Sequence, residues 1–160
     1  VIDSGFGNWL AGFIAGEGCF TISKLSRGRG YRCSFALVLR LDDAPILEMI
    51  HTETQLGTIS VSLKTRESVE WAVLSRKDCV ALIEILDCCP LRARKEIDYF
   101  IWREAVRIWN SKPSMKWASL EYCQVMQHLK SRLEHARDYK MSIRGHYKVI
   151  PFAKRGMLNA

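Results

Sequence analysis

Trp9 to Phe20 reads WLAGFIAGEGCF, a run that places small residues at helical spacing immediately before one carboxylate and then a strand. Ala11, Gly12, Ala15 and Gly16 recur four apart, so one side of this helix is close to bare backbone and a second backbone can approach it. Glu17 stands where the helix must stop, between Gly16 and Gly18, and glycine there suits a left-handed helix end. The last carbonyls of a helix carry partial negative charge, so a carboxylate at that point is unfavourable by itself. A divalent cation reverses the sign. Mg²⁺ takes oxygen ligands, commonly one or two carboxylates with water and substrate phosphate, so Glu17 and the carbonyl at Gly16 form a half-site. A structural helix-to-strand junction accounts for the same residue types equally well. Leu10 to Ile14 is too short an apolar run to span a bilayer.

Outward from this run, 160 residues are enough for one domain with its own core. The chain carries 24 basic and 17 acidic residues, a net charge of +7. Much of the excess sits in a basic tail, residues 139–160, where Lys140, Arg144, Lys148, Lys154 and Arg155 occur without an acid; residues 1–138 form the domain proper. Such a tail suits a polyanion, and nucleic acid fits better than a membrane because no long amphipathic apolar face accompanies the charge. Cys19, Cys33, Cys79, Cys88, Cys89 and Cys123 show no C-x-x-C pairing and mostly lie in apolar patterns, as reduced buried cysteines do. The four histidines lack zinc-ligand spacing. Without a signal peptide or transmembrane stretch, the expected location is cytoplasmic or organellar, and not secreted.

Phe20 and Ile22 alternate with Thr21 and Ser23, and Arg32 to Asp42 alternates more clearly, with Cys33, Phe35, Leu37, Leu39 and Leu41 on one side. Ser26 to Gly30 joins the two strands as a basic, glycine-rich hairpin loop. Asp43 can cap a short helix with Pro45 in its first turn and Ile46, Leu47 and Ile50 at core spacing, ended by Gly57. A second hairpin carries Ile59, Val61 and Leu63, then Val69, Trp71 and Val73, with its turn over Thr65 to Ser68. Helices follow from Asp78 through Cys88, from about Ala93 to Asn110 with Ile97, Phe100, Ile101 and Ile108 at 3.6 spacing, and around Leu120, Val125, Leu129 and Leu133. The order predicts an α+β unit, αββαββα, with a four-stranded antiparallel sheet and C-terminal helices.

One sheet face must pack on the helices, and the other is polar. Thr21, Ser23, Lys24, Arg32, Ser34, Arg40, Ser60, Ser62, Lys64, Arg66 and Glu70, with Arg27 and Arg29 in the loop and Arg76 beyond the sheet, are the candidates for DNA contact. Charged and hydroxyl side chains on a ribbon are what phosphate positioning and major-groove edge reading require.

Leu10 to Gly18 resembles the LAGLIDADG motif of intron- and intein-associated homing endonucleases. Leu39 to Ile50, LRLDDAPILEMI, resembles the strand-to-helix segment of the same family, and Pro90 to Lys95 its stretch ending in an active-site lysine. Together these cover roughly the first 110 residues in the family's order.

The resemblance implies a half-saddle of the family's αββαββ type, whose single motif makes the protein a homodimer through its first helix, with Trp9, Gly12, Phe13 and Gly16 at the contact. It implies a site-specific endonuclease cutting a long, pseudo-palindromic double-stranded DNA target. Glu17 falls on the metal-binding acid, with Gly16 lending a carbonyl, and Mg²⁺ is the expected ion, Mn²⁺ or Ca²⁺ occupying the same place. Lys95 matches the supporting base. Where the family often carries a site glutamine this chain has Leu41 and then Asp42, which makes Asp42 the candidate for positioning water. Relatives that mature intron RNA, or bind DNA without cutting, share the fold and define the alternatives.

Overall fold

Asp3 starts the first helix by accepting hydrogen bonds from the backbone N–H groups of Gly5 (2.9 Å) and Phe6 (3.1 Å). In the computed structural model, which describes residues 2–26, 30–63, 67–111 and 119–137, this helix, α1, spans Ser4–Glu17. Strands β1 (Gly18–Lys24) and β2 (Tyr31–Arg40) follow, then α2 (Ala44–Thr54), β3 (Thr58–Ser62), β4 (Ser68–Val73), α3 (Arg76–Cys88), α4 (Lys95–Ser111) and α5 (Leu120–Ala136). The loop residues 27–29, the turn residues 64–66 and the tail 139–160 lie outside the described residues.

The four strands form one antiparallel sheet in the order β1-β2-β4-β3. Phe20, Ile22, Cys33, Phe35, Leu37, Val69, Trp71 and Val73 all project to one side and are buried there beneath the helices. Phe20 is the hub: its ring lies 4.9 Å from Phe35, 5.0 Å from Trp102 and 5.7 Å from Tyr99. Burying a side chain of this size contributes about 1.5–3 kcal/mol. The Trp71 indole also donates to the Leu56 carbonyl at 2.7 Å, so the largest strand residue leaves no buried donor unpaired.

Several expectations change in the fold. Gly18 is extended (φ −70°, ψ 145°), not left-handed; what demands glycine is crowding, since a Cβ there would lie 2.6 Å from the Ile14 carbonyl oxygen and 2.8 Å from the Phe35 ring. Among the described residues, the left-handed ones are Gln55 and Gly57, at the exit of α2. β2 stops at Arg40, and Leu41–Asp43 form a 3₁₀ turn rather than the strand's end. Asp43 stands at the N-cap of α2 without accepting a bond. α3 starts at Arg76 because Ser75 caps it, accepting from the Asp78 N–H at 3.0 Å.

The buried faces of the long helices also differ. α4 buries Asp98, Tyr99, Ile101, Trp102, Ala105, Val106 and Trp109 and leaves Ile97 and Phe100 exposed. α5 buries Tyr122, Met126, Leu129 and Leu133 and exposes Leu120 and Val125. On α4 the aromatics Tyr99 and Trp102 fill the core in place of Ile97 and Phe100, and on α5 Tyr122 does so in place of Leu120. On the edge strand β3, Val61 and Leu63 beyond it remain exposed. Cys33, Cys79 and Cys89 are buried and unpaired as expected, while Cys19 and Cys88 are exposed. Burial raises the Cys33 thiol and lifts that of Cys79 to about 12, so both stay protonated and inert.

Candidate nucleic-acid interface and carboxylate site

Gly7, Leu10, Ala11 and Ile14 turn the inner side of α1 into the core. The small residues therefore divide. Ala11 is 3% exposed and faces the protein's own helices, whereas Gly12 and Gly16 face outward, and a Cβ built on either meets nothing within 4 Å. Trp9 lies beside this outward stripe, its ring stacked on Phe13 at 5.3 Å and tilted against Phe6 at 5.6 Å. The expected contact residues Trp9, Gly12, Phe13 and Gly16 thus lie at i, i+3, i+4 and i+7 on one helix, with only Phe13 partly packed on the core.

Glu17 ends the same helix, exposed, and among the described residues its carboxylate has no hydrogen-bond or ion-pair partner. The Gly18 N–H bonds the Ile14 carbonyl, and the carbonyls after it, that of Gly16 included, are past the helix's own donors. Two kinds of oxygen ligand therefore meet at one helix end. No group of three or more His, Cys, Asp or Glu that could hold a metal occurs among the described residues. Lys95 is the first residue of α4, a helix that touches α1, and it is half-buried. A lysine on the positive end of a helix opposes the dipole, and with exposed Arg92 and Arg94 before it the positive field there is concentrated.

The side of the sheet away from the helices shows its side chains in rows set by the register. Ser23 lies beside Arg32, Thr21 beside Ser34, Cys19 beside Ala36, Ala72 and Thr58, Val38 beside Glu70 and Ser60, and Arg40 beside Ser68 and Ser62. Thr21, Ser23, Arg32, Ser34, Arg40, Ser60, Ser62 and Glu70 are brought together on this face as expected. Lys24 is not: it pairs with buried Tyr31, and the two-residue period carries it to the helix side, where it lines a hollow with Gln127, His128 and Ser131 of α5. Arg76 also leaves the face, its guanidinium lying 4.9 Å over the Trp109 ring. Arg27, Arg29, Lys64 and Arg66 lie outside the described residues. Asp42 is paired with Arg40 at 2.7 Å, beside an open cleft of about 1020 Å³ at the end of β2. Cys19, Ala36, Val38, Thr58, Ser68 and Ala72 complete the face; the two-residue period of β2 and β4 is the signal that finds Ala36, Val38 and Ala72, which carry no polar group.

The profile of the family described as LAGLIDADG endonuclease matches residues 10–106. The chain belongs to this family. The LAGLIDADG match runs from Leu10 of α1 into α4 and takes in Glu17, the whole sheet and Lys95. Two curated relatives are the "Probable intron-encoded endonuclease Cox1-I1b" of Schizosaccharomyces pombe, 31% identical over 64% of this chain and 27% of its own length, and the "Probable intron-encoded endonuclease 3" of Neurospora crassa, 34% identical over 65% of this chain and 21% of its own. Among solved structures, the LAGLIDADG meganuclease I-AabMI bound to uncleaved DNA is 28% identical (TM-score 0.61, 66% of this chain and 37% of that one). I-GzeII in complex with its DNA target is 25% identical (TM-score 0.66, 83% and 44%). I-SmaMI bound to uncleaved DNA in the presence of calcium ions, 18% identical with a TM-score of 0.70, shares the fold. The chain spans about a quarter of the curated relatives and less than half of each of these structures. Among the described residues no helix is long and apolar enough to cross a membrane.

Proposed function

We propose that the chain is one half of a divalent-metal-dependent, sequence-specific DNA endonuclease, completed by a second copy that packs along α1. The observation that carries this reading is the coincidence of an unpartnered carboxylate, Glu17, with the outward Gly12 and Gly16 stripe of the same helix. A backbone laid along that stripe brings a second Glu17 to the first. The LAGLIDADG family and the DNA-bound neighbours, each more than twice the length matched here, support it. The two-fold axis makes the target pseudo-palindromic.

Glu17 and the Gly16 carbonyl have the oxygen character and freedom from other partners to hold Mg²⁺, with Mn²⁺ or Ca²⁺ using the same ligands. Such an ion, when bound, supplies neutralisation of charge on the phosphate and on the departing oxygen. In the hydrolysis a water oxygen bonds to phosphorus, one ester P–O bond breaks, and the departing oxygen takes up a proton. Lys95 orients the water or offsets the charge that builds on the phosphate. Arg32 and Arg40, at opposite ends of the sheet face, contact guanine edges or phosphates, and the hydroxyl rows between them hold register.

Glu17→Gln should retain duplex binding and lose cleavage in Mg²⁺, and sedimentation with duplex DNA should show two protein chains per DNA. Wild-type cleavage by the variant removes Glu17 from the reaction, monomers alone on DNA remove the paired site, and retention without scission by the wild type leaves a binding protein.

A further inference from the structure

The middle of the sheet's open face is apolar, and nothing in the polar reading of that face accounts for it. Cys19, Ala36 and Ala72 stand side by side in one register row, and Val38 stands in the next. Val38 is 53% exposed although it lies on an inner strand, while Ala72 is only 8% exposed and forms the floor of the row. A single exposed valine is ordinary on a protein surface. Here it adjoins three small apolar residues, and Arg32 and Arg40 bracket the group on the same strand. Water gains nothing from such a patch, and a phosphate finds no donor in it.

Resting on the reading of this face as a duplex-DNA interface, we infer that the Ala36–Ala72 row and Val38 form a specificity element for the C5-methyl groups of thymine. The major groove shows only one apolar group, the thymine methyl, and small aliphatic side chains are its complement. Ala36 and Ala72 carry only methyl side chains and Val38 stands exposed beside them, so the row offers a thymine methyl apolar contact. Glu70, across from Val38, adds discrimination: its carboxylate accepts from an exocyclic amino group, adenine N6 or cytosine N4, and is repelled by the O6 of guanine. Open-face residues recur every about 6.8 Å along a strand, close to two base-pair steps, so Ala36 and Val38 together face a tract of about four base pairs. Cys19 follows Glu17 by two residues and shares the row with Ala36, which sets the tract directly outward from the carboxylate site, with Arg40 and Arg32 at its flanks.

The test uses the whole chain and a randomised duplex DNA library, without added metal so that binding is read apart from cleavage. The retained duplexes should share a thymine-rich tract of about four pairs in each half-site. Resynthesis with deoxyuracil for thymine removes the methyls alone and should weaken binding roughly fourfold per methyl. Val38→Ser, an exposed change, should lose preference at its position and become indifferent to uracil there. Equal binding of thymine and uracil duplexes, with the library still enriched for other bases, overturns this inference and leaves the DNA reading standing. Failure to retain any duplex above a salt-insensitive background overturns both.

Discussion

The Arg40 guanidinium holds the Asp42 carboxylate at 2.7 Å where β2 gives way to the 3₁₀ turn, with both side chains largely in solvent. An exposed pair of this kind is worth only about 0–1 kcal/mol, so a phosphate or a guanine edge can take Arg40 from it. On the proposed function, Asp42 competes with DNA for Arg40. Asp42→Asn should tighten binding several-fold at low salt and leave the cleavage rate at saturating DNA within threefold of wild type. Single-turnover kinetics checks this: a tenfold fall would put Asp42 among the groups that act on the water.

Two glycines of one sequence motif should respond in opposite ways. A Cβ at Gly18 meets the Ile14 carbonyl, the Phe35 ring and the Ile14 side chain within 2.9 Å, so Gly18→Ala should cost about 1–3 kcal/mol and lower Tm measurably. Gly12 has nothing within 4 Å, so Gly12→Ala should leave the single chain as stable as before, or up to about 1 kcal/mol more so, because alanine favours a helix. Gly12→Leu should instead raise the dissociation constant of the paired form at least tenfold. Thermal melts and sedimentation at matched concentrations separate the three.

Arg32 and Arg76 carry the same charge and should differ in what they do. Arg32 projects from the open face, and Arg32→Ala should weaken DNA binding and reduce the slope of log K against log salt by about one. Arg76 lies over Trp109, and Arg76→Ala should cost about 0.5–1 kcal/mol of stability with the slope unchanged. A salt titration of each variant decides between the two roles.

Asp87 links α3 to α4 through the Tyr99 hydroxyl (2.6 Å), Arg103 (2.6 Å) and Arg107 (3.2 Å). Burial alone would raise its pKa, but the hydrogen bonds from Tyr99 and Arg103 and the charges of Arg103 and Arg107 outweigh it and hold the carboxyl below the usual range. A depressed folded pKa means that the stabilisation is whole above the unfolded value, about 3.9, and fades as pH falls through the folded one. Stability against urea should therefore fall as pH drops from about 5 to about 3, and Asp87→Asn should flatten that dependence.

The order of the elements along the chain and the carboxylate that ends α1 were legible in the chain itself, because alternation and helical spacing are local properties that neighbouring residues report about one another. Lys24 marks where local reading stops. Its charge suggested the DNA face, but pairing with Tyr31 puts it on the helix side, and register is a property of two strands. Phe100 and Trp102 make the same point on α4: both are aromatic at nearby positions, and the 0% exposure of Trp102 is decided by Phe20 and the sheet beneath it. Which small residues of the motif face inward, Ala11, and which outward, Gly12 and Gly16, also waited on the tertiary packing of α1. The sequence by itself determined the elements, their order and the acidic helix end, since these follow from spacing along one chain. Only the tertiary structure decided which side of each element is buried, because burial depends on surfaces brought together from distant parts of the chain.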